Sequence, residues 1–130
     1  MSLNDTLANA LSKINNAEKL GRKECFVRPA SKILKKILEI MSDNHYIGEY
    51  NEVYAERGGT LQINLIGRIN KCGAIKPRFS VDTDEYEKFE KRYLLAKGVG
   101  LLIVSTSKGI MDHESAKKKG IGGKLLAYVY

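Results

Sequence analysis

Residues 100–123 read GLLIVSTSKGIMDHESAKKKGIGG. Leu101, Leu102, Ile103 and Val104 form an unbroken apolar run bounded by Gly100 and Ser105, the mark of a buried strand that lies near the middle of its sheet. Ser105 to Gly109 is a polar turn, and Ile110 with Met111 resumes the strand. Asp112 suits the cap of a short helix from His113 to Lys119, which Gly120 ends. Leu125 to Tyr130 closes the chain as a final strand.

Working back from this stretch, Tyr86, Phe89 and Tyr93 are spaced to face inward on a short helix from Asp84 to Tyr93, with Asp84/Lys88 and Glu87/Lys91 as surface pairs. Ile75 to Val81 is expected as a strand, at an edge because Pro77 cannot donate to a ladder. The segment from Gly67 to Gly73 reads as a connection between two halves. Tyr46–Ala55 and Thr60–Leu65 carry the aromatic and β-branched residues of two strands, joined across Arg57-Gly58-Gly59 as a hairpin. Cys25 to Val27 is a further short strand. Pro29 then suits the first turn of a helix carrying Ile33, Leu34, Ile37, Leu38 and Met41. Leu3, Leu7, Leu11 and Ile14 recur at helical spacing, so residues 3 to about 20 form an amphipathic helix that stops at Gly21. Its polar face is rich in Asn, a mediocre helix former, which suggests a partner rich in hydrogen-bonding groups.

A chain of 130 residues with 43% hydrophobic composition can bury a core without metal, disulfide or cofactor. Twenty-two Lys and Arg against 15 Asp and Glu leave a net charge of +7. That sign favours a polyanionic partner, nucleic acid first, although the same charge also serves solubility. Eight basic residues lie between Lys13 and Lys36 and four between Arg68 and Arg78, whereas Glu39 to Glu56 holds five acids and no Lys or Arg. Cys25 and Cys72 form no C-x-x-C pair and read as buried thiols of a cytoplasmic protein. Neither a signal peptide nor a membrane span is apparent.

Catalytic patterns are incomplete. Ser105 to Lys108 satisfies S-x-x-K, but its S-D-N and K-T-G companions are missing. His45 and His113 sit beside helix boundaries, where a surface or capping role is expected. Asp82, Asp84, Glu85, Glu87 and Glu90 read as a solvated helix face and not as metal ligands. Neither Gly98-Val99-Gly100 nor Gly120-Ile121-Gly122-Gly123 matches a nucleotide-binding pattern. What remains is a turn of small hydroxyl residues with glycines and lysines near it. It is either an ordinary β-turn or a surface fitted to RNA, whose shallow minor groove admits short hydroxyl side chains and bare amides.

The stretch from Val104 to Met111, with Glu114, Ala116 and the KKKGIGG run from Lys117 to Gly123, resembles the C-terminal signature of the universal small-subunit ribosomal protein eight family in its archaeal and eukaryotic form. Asp5 to Ala8 with Ile14 to Ala17, and Ile75 to Phe79, resemble that family's N-terminal helix and middle. Asp112 departs from the Ser or Thr expected there, and caps a helix equally well.

The resemblance implies an α+β fold, with an N-terminal α/β subdomain (1–70) packed on a mainly antiparallel β-sheet subdomain with short helices (71–130). It also implies binding to a helix in the central domain of small-subunit ribosomal RNA (rRNA), early in subunit assembly, in the cytoplasm beside neighbouring ribosomal proteins. No catalysis, cofactor, metal, membrane or DNA is implied. Some bacterial relatives also repress their own messenger through the same surface. Carried over by position, the RNA contacts fall on Ser105, Thr106, Ser107 and Gly109, supplemented by Asn4, Thr6, Asn15, Lys32 and Lys35. The residues themselves add Lys108, Lys117, Lys118, Lys119 and Lys124 for flanking phosphates, with Gly122, Gly123, Lys71 and Arg78 as further RNA-binding candidates.

Overall fold

The computed structural model describes residues 6–28, 30–54, 59–96 and 98–130, with the backbone alone at Tyr54. The fold is α+β. The chain divides into two compact units, Met1–Cys72 and Gly73–Tyr130.

In the first unit, helix α1 (Thr6–Lys19) buries Leu7, Ala10, Leu11, Ile14 and Ala17, the stripe that a spacing of three and four dictates. It stops at Gly21, whose N–H reaches the Glu18 carbonyl while that of Arg22 reaches Ala17. Strands β1 (Glu24–Val27), β2 (Ile47–Tyr54) and β3 (Thr60–Leu65) form an antiparallel sheet in the order β1-β3-β2. By strand alternation Cys25, Val27, Leu61 and Ile63 face the core and are buried. Helix α2 (Lys32–Asp43) begins later than Pro29, which lies outside the described residues. Ser31 is its N-cap, its hydroxyl accepting from the Leu34 N–H at 3.1 Å. Arg57 and Gly58 of the expected hairpin turn, and Leu3 and Asp5 of the expected first helix, also lie outside the described residues.

Strand β4 (Cys72–Ala74) leads into the second unit, which continues with β5 (Ser80–Val81), a 3-10 turn (Thr83–Glu85), α3 (Tyr86–Tyr93), β6 (Leu101–Thr106), β7 (Gly109–Asp112), α4 (His113–Lys119) and β8 (Gly123–Val129). Its sheet runs β4-β8-β6-β7, with β5 also paired to β8. The apolar run of β6 is buried throughout and lies inside the sheet, as its composition requires. The strand expected from Ile75 to Val81 is broken in two. The Ile75 N–H still reaches the Leu126 carbonyl, the chain leaves the sheet around the cis Lys76–Pro77 bond, and it rejoins β8 at Ser80 and Val81. A residue without an N–H interrupts the ladder at that point. Tyr86, Phe89, Leu102, Val104 and Leu125 meet in one cluster, and the Tyr86 hydroxyl donates to the Ile121 carbonyl at 3.1 Å. Lys88 does not pair with Asp84 but lies over the Phe89 ring, 5.7 Å from its centre.

Candidate nucleic-acid interface

Strands β6 and β7 are joined by a two-residue turn, with Thr106 opposite Gly109 and only Ser107 and Lys108 between them. Thr106 holds the turn from inside. Its hydroxyl donates to the Gly109 carbonyl at 2.6 Å and accepts from the Lys108 N–H at 3.1 Å. Gly109 has φ of 114°, a conformation that side chains with a Cβ rarely adopt. Thr106 thus fixes the shape of the tip, while the hydroxyls of Ser105 and Ser107 have no partner among the described residues. Ser107, Lys108 and Gly109 are exposed.

The glycines of the C-terminal run work by close approach. A Cβ on Gly122 would lie 2.1 Å from the Val81 carbonyl oxygen, and one on Gly123 would lie 2.2 Å from the Ser105 carbonyl oxygen. Both allow β8 to press against its neighbours. Ser80, Lys124 and Ser105 then stand opposite one another on β5, β8 and β6. Ser80 was missed in the sequence because this row exists only once β5 has joined β8.

The remaining candidates are in different situations. Thr6, Lys32, Lys71 and Arg78 are exposed, and Asn4 lies outside the described residues. Lys35 is paired with Glu52 at 2.9 Å, which neutralises its charge. The Asn15 side-chain carbonyl accepts from the Cys72 N–H at 3.2 Å, and Glu18 similarly receives the Ile69 N–H, so this end of α1 holds the 69–72 segment. Cys25 and Cys72 are buried free thiols, and burial pushes Cys72 up to about 12.

His113 does not behave as a surface residue, and Glu90 does not lie on a solvated face. Their side chains are 1% and 2% exposed. His113 Nδ1 accepts from the Leu102 N–H at 3.0 Å, which leaves its proton on Nε2, 3.1 Å from Glu90 Oε1. The Lys117 ammonium is bonded to that same oxygen. Glu114 brings a second carboxylate oxygen to within 3.3 Å of Nε2. The cluster has the donor types of a metal site, but a metal on Nε2 would force the proton to Nδ1, against the Leu102 N–H. Asp112 does not cap α4 through its side chain; its carboxylate takes the Ser115 hydroxyl at 2.6 Å.

Burial lowers the His113 pKa from 6.5, with Glu90 and Glu114 only partly opposing it. Below pH 6.5 the unfolded chain therefore holds a proton that the folded one does not, so stability falls as pH drops from that value through the folded pKa. The urea midpoint is expected to decrease between pH 7 and pH 5, and His113→Gln to flatten that slope; an equal slope in both proteins would locate the effect elsewhere.

A hairpin tip that offers hydroxyls, bare backbone and lysines suits a polyanionic partner, and the histidine cluster seen among the described residues is taken up in structural bonds. The family model for ribosomal protein S8 matches residues 5–130, and the chain belongs to that family. It is therefore a ribosome-associated, RNA-binding structural protein of the cytoplasm, with ribosomal RNA and other ribosomal proteins as its general partners. No helix among the described residues is long and apolar enough to cross a membrane.

Proposed function

We propose that this chain binds a helix in the central domain of small-subunit rRNA directly, early in assembly, and does so mainly through the C-terminal subdomain, residues 71–130. The observation that carries this reading is the division of labour in the β6–β7 turn. Thr106 spends its hydroxyl on the turn itself, while Ser105 and Ser107 keep theirs for a partner. Short hydroxyls and the bare Gly109 backbone suit the shallow minor groove of an irregular RNA helix. Lys108, Lys118, Lys119 and Lys124 are exposed and serve the flanking phosphates. Thr6, Lys32, Lys71 and Arg78 supplement them, with Asn4 by position. Lys35 contributes less because of Glu52, and Asn15 offers only its amide N–H groups.

Ser107→Ala is expected to weaken binding to the cognate RNA helix by about 1–2 kcal/mol, the loss of one or two hydrogen bonds, with the urea midpoint unchanged. Unaltered affinity in a filter-binding titration would remove the turn from the interface. Sequencing the RNA that copurifies with the tagged chain tests the wider reading: small-subunit rRNA is expected. Enrichment of one messenger would instead support a translational repressor acting through the same surface.

A further inference from the structure

Strand β1 is one of the two edge strands of its sheet. The Leu65 N–H bonds to the Lys23 carbonyl, which sets the alternation along the β1–β3 ladder. Lys23, Cys25 and Val27 spend their backbone groups on β3, so those of Glu24 and Phe26 point to the open edge. Among the described residues the Phe26 carbonyl receives only a 4.0 Å contact from the Cys25 thiol. Beside this edge is an open groove of about 460 Å³ between β1 and the end of α1, lined by Lys13, Asn16, Leu20, Arg22 and Phe26 among others. A second hollow continues past Phe26 to Arg28. Leu20 is 70% exposed and Phe26 46% exposed, both large for apolar side chains in a groove. Lys13, Arg22 and Arg28 have no ion-pair partner among the described residues.

We propose that this groove takes an extended, acidic segment of a neighbouring protein of the subunit, added as a fourth strand along β1. The backbone of such a segment supplies acceptors for the Glu24 and Phe26 N–H groups and donors for their carbonyls. Its apolar side chains cover Leu20 and Phe26, and its carboxylates meet Lys13, Arg22 and Arg28. RNA fits less well, because a phosphate backbone offers the two outward carbonyls no row of donors and would face them with oxygens. A second copy of this chain would set the same three cations against one another. The source of the segment rests on the ribosomal reading, whereas the chemistry of the groove does not.

Full-length chain carrying p-benzoylphenylalanine in place of Phe26 is assembled into small subunits and irradiated. Cosedimentation with the subunit tests the ribosomal reading; the crosslink tests the groove. The expected product is a crosslink to an acid-containing stretch of another protein. Glu24→Pro, which deletes an outward N–H at an edge position that tolerates proline, is expected to lower its yield by roughly fivefold. A crosslink to rRNA, to a second copy, or to nothing in cosedimenting chains would overturn the proposal. Independently of assembly, an octapeptide alternating Glu and Val should shift the Glu24 and Phe26 amide resonances of the free chain. Absence of those shifts at millimolar peptide, or larger ones from octauridylate, would overturn it too.

Discussion

Gly123→Ala is expected to destabilise the chain by about 3 kcal/mol and to weaken RNA binding beyond what Ser107→Ala does. The added Cβ would lie 2.2 Å from the Ser105 oxygen, 2.9 Å from its carbonyl carbon and 3.0 Å from a Val104 methyl. Two of these three atoms are backbone in a strand held on both sides by hydrogen bonds, so no side-chain rotation relieves the clash. The strands must separate at Ser105 and Lys124, which breaks ladder bonds and moves the base of the turn. Gly120→Ala is the control. That glycine has φ of 67° and open space around its Cβ position, so the cost there is only the left-handed conformation, about 1 kcal/mol. Urea melts of the two variants check the difference. Equal midpoints would mean that β6 and β8 are not closely packed at Gly123.

The parts of this fold that were legible in the sequence are those set by local pattern. The four-residue apolar run of β6, the helical stripe of α1 and the glycine stops at Gly21 and Gly120 each depend on neighbours a few positions away, and each forms as expected. The break between β4 and β5 was half visible. Pro77 marked a weak strand, but two short strands can share one partner only because β8 is long enough to pair with both. The site was legible as a list of residue types and illegible as a set of roles. Nothing local distinguishes Thr106, which closes the turn, from Ser107, which faces outward. Glu90 looked like its acidic neighbours because the histidine and the lysine that engage it arrive 23 or more positions later. Lys117 looked like a phosphate contact for the same reason, yet it is committed to Glu90.

That commitment leads to an asymmetric result: Lys117→Met is expected to cost more stability than Glu90→Leu, although both break the same pair. Removing Lys117 leaves a carboxylate 2% exposed, with, among the described residues, one oxygen served by His113 and the other, Oε2, already without a partner. A buried anion stripped of its cation costs about 3 kcal/mol or more. Removing Glu90 strands less. The Lys117 side chain is 29% exposed and can turn to water, and the His113 Nε2–H has Glu114 within 3.3 Å as a second acceptor. The loss is then about 1–2 kcal/mol. In the double variant the carboxylate is gone with its cation, so stability returns to near that of Glu90→Leu, a coupling of about 3 kcal/mol in urea melts. Additive losses would show that the two side chains act separately. The same variants test the interface, since Lys117→Met should leave the salt dependence of RNA binding unchanged, whereas Lys118→Met should reduce its slope by about one phosphate contact. A reduced slope in Lys117→Met would mean that the ammonium leaves Glu90 for the RNA, and the buried pair would then be a feature of the free protein alone.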